Sequence, residues 1–223
     1  PPSASPSSPL SSPTSQSSDS QPPTPNPQPL TPNPQPPAPN PRIVVLDPGH
    51  GDSDTGAIGL NGLVEKDVVL PIALEAAEAL KQRGIQVVLT RSDDRFPTLN
   101  DRVQVAEQAK ANVFVSIHGN ALSTDQPDAN GLETYHYPGS VSGASLAQAI
   151  QTSILHSVDV RDRGVRQANF YVLRHTSMPA ALVEVGFLTG QQDSQNLSQP
   201  DYRSKLARAI ANGILQYIAG TGY

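Results

Sequence analysis

The side chains best suited to chemistry cluster at the first glycine-rich loop of the chain. LDPGHGDSDTGAIGLNGLVEKD, residues 46 to 67, places His50 between two glycines and Glu65 fifteen residues later, just before an apolar run. Such a loop holds a phosphate, holds a metal or only turns the chain. A phosphate cradle is a poor fit, because neither G-x-x-x-x-G-K-[ST] nor G-x-G-x-x-G is present and Asp47, Asp52 and Asp54 would repel the anion. A nucleophilic serine lacks its G-x-S-x-G elbow, Ser116 lies inside an expected strand, and the chain has no cysteine. His50, Glu65 and His118 remain as a ligand set for a catalytic zinc, which takes three protein ligands and keeps one position open for water. The ordinary alternative stays open on residue types alone. A loop histidine is commonly a turn or surface residue, and an acid just ahead of a helix complements the positive end of its dipole. His136 and His156 fall within a strand and a helix, where packing or exposure accounts for them, and His175 is a loop residue near the candidate site.

These residues have to be positioned by the elements around them. IVVLD (43 to 47) reads as a buried strand ended by Pro48 and Gly49. A helix over 68 to 83 follows, with Leu70, Leu74, Ala77 and Leu80 on one stripe, Asp67 as N-cap, Gly84 as stop and Pro71 in the first turn. Strand IQVVLT (85 to 90) leads to a helix over 99 to 111, opened by a capping-box-like pair of Thr98 and Asp101. Strands VFVSI (113 to 117) and LETYHY (132 to 137), a helix over 143 to 158, strands near FYVL (170 to 173) and ALVEV (181 to 185), and a helix over 201 to 218 complete the pattern. Strands that alternate with helices and read as continuous apolar runs predict an α/β fold, a single domain with a mainly parallel β-sheet covered by helices on both faces. Ligands of such sheets lie beyond the carboxyl ends of the strands. His50, His118 and Glu184 all fall there.

Composition sets the outer limits. The 223 residues carry a net charge of -5 and no basic stripe of the kind that accompanies nucleic-acid binding, and no apolar run approaches the roughly 20 residues of a membrane span. Residues 1 to 41 hold 16 of the 23 prolines and repeat TPNPQP at 24 to 29 and 31 to 36. Such a segment buries too little apolar surface to fold and acts as an extended spacer. We therefore expect a Pro/Ser-rich linker over 1 to 41, a folded domain over 42 to 219 and a tail over 220 to 223, with the linker tethering the domain to an upstream targeting module.

VVLDPGHGDSDTGAIG, EKDV, SIHGNA, GLETYHY, FYVLRHTSMPAALVEVGFLTG and the closing helix resemble, in order and over about residues 42 to 218, the zinc-dependent N-acetylmuramoyl-L-alanine amidases of bacterial cell division. The resemblance implies a twisted α/β sheet, zinc ligands His50, Glu65 and His118, and Glu184 as catalytic acid/base. It implies peptidoglycan as substrate, a role in cell-wall remodelling or daughter-cell separation, a monomer, and a location in the cell envelope, periplasmic or extracellular. Some of these amidases carry a long inhibitory helix after the strand equivalent to GLETYHY. Only PGSVSGA separates Tyr137 from Ser145 here, so no such plug is expected. Asn120, Glu133 and Arg174 lie beside the motifs without an assigned role. The same ligands would serve another zinc hydrolase of wall material, whereas a binding domain would usually lack one of the four site residues.

Overall fold

The computed structural model describes residues 42–123 and 125–221. The expected linker over 1 to 41 and the last two residues of the tail lie outside them. Six strands form one sheet in the order β2-β1-β3-β6-β4-β5. They are β1 (Ile43–Pro48), β2 (Gln86–Leu89), β3 (Val113–Asn120), β4 (Leu132–His136), β5 (Asp162–Gln167) and β6 (Ala180–Phe187). All neighbours run parallel except β4 and β6, which pair antiparallel. The carboxyl ends of β1, β3 and β6 therefore meet at one edge, and the start of β4 joins them from the opposite direction.

Helices cover both faces, as the apolar runs require. α1 (Glu65–Lys81), α3 (Val141–Ser157) and α6 (Pro200–Gly220) enclose a large core around Leu46, Ile72, Ile117, Ile150, Val183 and Ile210. On the other face α2 (Leu99–Gln108) and α4 (Tyr171–His175) pack Val103, Ala106, Val172 and Leu173 against Val45, Phe114 and Leu182. The Thr98 and Asp101 capping box forms as expected. α5 (Gln191–Leu197) lies between β6 and α6, and α6 takes in the first residue of the expected tail.

Four local expectations change. FYVL is not a strand: Phe170 caps α4, and Val172 and Leu173 bury themselves beneath that short helix. Packing of the segment on the second core overrides its β-propensity. The sixth strand is instead β5, DRGVRQ, an edge strand whose polar sequence conceals it from an apolar-run reading. α1 begins at Glu65 rather than 68, with Val64 and not Asp67 as its N-cap. Loop carbonyls replace the side-chain cap, because Glu65 N–H donates to Ala57 O at 2.9 Å and Lys66 N–H to Thr55 O at 3.2 Å. Pro71 consequently falls in the second turn, on the exposed side of the helix. There its ring removes one amide from the helical ladder on the side away from the core.

Candidate active site

The loop after β1 is held from below by two buried arginines. Asp47 is 1% exposed, and its carboxylate accepts from Thr90 Oγ1 at 2.5 Å, Arg102 Nη1 at 2.7 Å and Ser116 Oγ at 2.7 Å. Arg102 also donates to the carbonyls of Pro48 (2.7 Å) and His50 (2.8 Å), and Arg91 to those of Pro48 (3.0 Å) and Gly49 (2.7 Å). These bonds tie down a backbone that is strained at His50, whose φ is 60°. A left-handed conformation at a residue other than glycine costs about 1–3 kcal/mol and persists only where its surroundings enforce it. Two glycines give the room required. A Cβ at Gly49 would lie 2.3 Å from the His118 ring, and one at Gly56 would lie 2.5 Å from Glu65 Oε2 and 2.6 Å from the His50 ring.

His50, Glu65 and His118 converge above this base. Each offers a ligand atom, and these atoms lie within 4.8 Å of one another. Glu65 Oε1 is 2.9 Å from His50 Nε2 and 3.0 Å from His118 Nδ1, and the two rings meet edge to face with centroids 4.9 Å apart. Second contacts fix His50 and Glu65 in place. His50 Nδ1 donates to Asp54 Oδ2 at 2.9 Å, which leaves the Nε2 lone pair facing inward. Glu65 accepts from the amides of Ala57 (2.8 Å) and Gly119 (3.0 Å). Burial raises the Glu65 carboxyl, but hydrogen bonds and charge from His118 and His50 outweigh it and hold the group below the usual carboxylate range. Burial likewise lowers the His50 imidazole, and Glu65 and Asp54 reverse that and raise it overall. Two imidazoles and a buried carboxylate, all aimed at one point and backed by second contacts, suit a zinc ion.

Glu184 faces this cluster from β6, where it is the register partner of His118. Its Oε2 is shut off from solvent and has no hydrogen-bond partner among the described residues. Burial pushes its pKa up to about 7, with His118 opposing and the charges of Glu65 and Glu133 assisting. On its other side Glu184 pairs in register with Glu133 of β4. The Glu133 carboxylate accepts from Arg163 Nε at 2.6 Å, Tyr135 Oη at 2.6 Å and Asn120 Nδ2 at 3.0 Å. The carboxylates beside each other thus differ sharply, one saturated with donors and one with none at Oε2.

A cleft of about 370 Å³ opens over His50, His118 and Glu184, walled by Phe96, Leu99, Phe170 and Tyr171. These four apolar side chains are 38–53% exposed and line the approach to the polar floor. His175 ends α4 and stacks on Tyr171 at 4.2 Å, at the rim rather than among the ligands. His136 and His156 share hydrogen bonds with nearby backbone carbonyls, and Arg174 is exposed beside the rim. β4 and α3 are separated only by residues 137–140, so no inhibitory helix occupies that connection.

Sequence reasoning missed the two loop-holding arginines, the apolar wall and the donors to Glu133. One signal was available for Arg102: it shares a helical stripe with Ala106, four residues on, and both are buried. Arg91 carries no such signal, because only the fold brings the loop carbonyls to it.

The profile of the N-acetylmuramoyl-L-alanine amidase family matches residues 44–216. N-acetylmuramoyl-L-alanine amidase LytC of Bacillus subtilis is 44% identical over 177 residues, covering 78% of this chain and 35% of that protein, so the chain spans about a third of this relative's length. Among solved structures, the amidase AmiC2 of Nostoc punctiforme is 49% identical with a TM-score of 0.77, covering 80% of this chain and 97% of that one. An N-acetylmuramoyl-L-alanine amidase of Clostridium difficile 630 gives 41% and 0.78, covering 82% and 100%.

Proposed function

Since the chain belongs to the N-acetylmuramoyl-L-alanine amidase family, we propose that it is a zinc-dependent peptidoglycan hydrolase that cleaves the amide between the lactyl group of N-acetylmuramic acid and L-alanine of the stem peptide. One observation carries this reading: a His-Glu-His ligand set sits beside a buried carboxylate, Glu184, whose Oε2 is left without a partner. His50, Glu65 and His118 would hold the ion, which supplies Lewis acidity, drawing the pKa of a water towards about 7 and polarising the scissile carbonyl.

The protein's own groups perform the proton transfers. Glu184, buried beside the ligand set with no partner at Oε2 among the described residues, accepts a proton from the attacking water and returns it to the alanine nitrogen as the C–N bond breaks. An amide does not readily expel an unprotonated amine, so the return step is as necessary as the first. Asp54 fixes the tautomer and orientation of His50. Arg91 and Arg102 keep the His50 loop in its strained form, so the ligands need no rearrangement to act. The walls formed by Phe96, Leu99, Phe170 and Tyr171 limit water at the reacting bond.

All four groups come from one chain, so a monomer suffices. Action on peptidoglycan places the enzyme in the cell envelope, periplasmic or extracellular, where it would serve wall remodelling or daughter-cell separation. The Pro-rich segment 1 to 41 would tether it to a targeting module. With only residues 137–140 between β4 and α3, the domain should act without an activator. Mass spectrometry of products from purified peptidoglycan, with and without a zinc chelator, tests the reading. Chelator-sensitive release of stem peptides with a free L-alanine amino end is expected. Fragments cut within the peptide or the glycan would reassign the bond, and no product without an added activator would remove the claim of autonomy.

A further inference from the structure

The saturated carboxylate beside Glu184 has one cation more than it needs. Glu133 is 2% exposed and fully engaged by Arg163, Tyr135 and Asn120. Arg163 is fixed from two sides, since its guanidinium also lies 4.7 Å from the Phe187 ring centroid. Arg166 reaches the same carboxylate only at 3.4 Å, and its Nε donates to the Arg163 carbonyl at 3.2 Å. Its side chain is 47% exposed, and Nη1 has no partner among the described residues. Two guanidiniums thus face the one carboxylate of Glu133, and the looser of them, Arg166, keeps donors free. Arg166 pairs in register with Tyr135, whose ring meets that of Phe170 on the cleft wall with centroids 5.3 Å apart. Arg166 is thus the register partner of a residue that packs on the apolar wall.

The spacing suits the substrate of the proposed amidase, on which this inference rests. Glu133 lies one strand from Glu184, about 4.8 Å in a sheet, and an extended peptide advances about 3.5 Å per residue. A guanidinium seated on Glu133 is therefore one to two residues along a peptide whose scissile amide lies at Glu184. The stem-peptide residue after L-alanine is glutamate linked through its side chain, so its α-carboxyl is free unless amidated. A guanidinium with open donors matches a carboxylate in shape and charge.

We propose that Arg166 is a specificity residue that binds the free α-carboxylate of the second stem-peptide residue and so favours acidic over amidated peptidoglycan. The full chain, loaded with zinc, is titrated calorimetrically with two synthetic tripeptides, L-alanine, γ-linked D-glutamate and a diamino acid, one with the α-carboxylate free and one with it amidated. The acid form should bind about tenfold tighter, the scale of one charge-assisted hydrogen bond. Arg166→Gln should reduce that ratio to about one without a shift in melting temperature, and Arg166→Lys should restore part of it. Equal binding of the two peptides by the wild type, no binding of either, or an undiminished ratio in Arg166→Gln would overturn the proposal. Hydrolysis of the matching muramoyl peptides separates the two readings. Discrimination in binding without cleavage would keep Arg166 in its role and remove the amidase assignment.

Discussion

Asp47 and Glu184 are carboxylates on the same face and edge of one sheet, yet their surroundings are opposite. Asp47 receives Thr90, Arg102 and Ser116, and its arginine passes on to the carbonyls of the loop that carries His50. Glu184 Oε2 receives nothing from the described residues and is closed to water. A buried polar group is normally satisfied, because leaving it unpaired costs about 1–3 kcal/mol. The fold meets that requirement at Asp47 and forgoes it at Glu184. The satisfied carboxylate acts as scaffold, and the unsatisfied one is, under the proposed function, the group kept for proton transfer.

Substitutions can break this contrast in graded ways. The largest effect should come from the ligands that both carboxylates serve. His118→Ala should lose bound zinc and reduce turnover on the order of 10³-fold or more, since metal assistance contributes several kcal/mol; stoichiometric zinc in this variant by elemental analysis would refute the ligand assignment. Asp47→Ala should destabilise the protein by about 3–5 kcal/mol, because it leaves Arg102 buried and uncompensated. Chemical denaturation measures that loss, and a change under 1 kcal/mol would make the network incidental.

Glu184→Gln should retain zinc and lose on the order of 10²-fold in rate, the scale of acid/base assistance. In metal-free protein at pH 8 it should also be more stable than the wild type, by about 1–3 kcal/mol of relieved desolvation. The sign follows from the raised pKa of about 7. Below the unfolded value near 4.5 the acid is neutral in both states and carries no penalty, and the penalty grows until pH passes about 7. The advantage of the variant should therefore widen between pH 5 and 8; a flat or narrowing difference would contradict the account of Glu184. The smallest effect concerns the N-terminal segment. Removing residues 1 to 41 should leave turnover of soluble fragments nearly unchanged, and a large loss would make that segment part of the folded enzyme.

The sequence made some of this contrast legible and hid the rest. Strand runs such as VFVSI and the amphipathic stripe of α6 identify their elements because burial on two faces or one leaves a periodic mark. The strand-end rule also brings His50, His118 and Glu184 to one edge before any coordinates are known. β5 was concealed by the polar residues of an exposed edge, and FYVL was misread because packing on α2 prevailed over β-propensity. The start of α1 shifted because its cap comes from the backbone carbonyls of Thr55 and Ala57, which no side chain announces. Glu133 reaches Glu184 from the beginning of a strand, and only the antiparallel pairing of β4 explains how.

The place of β6 also governs the order in which the machinery comes into being. β6 lies between β3 and β4, so without it the sheet would be two separate pieces, β2-β1-β3 and β4-β5. Residues 43 to 120 already contain the three groups that would grip the ion, but Glu184, which would serve as acid/base, arrives on the strand that joins the halves. A chain without β6 in place would therefore lack both the closure of its sheet and Glu184. The strand that completes the sheet is also the one that carries Glu184, so under the proposed function the site is whole only when the sheet is.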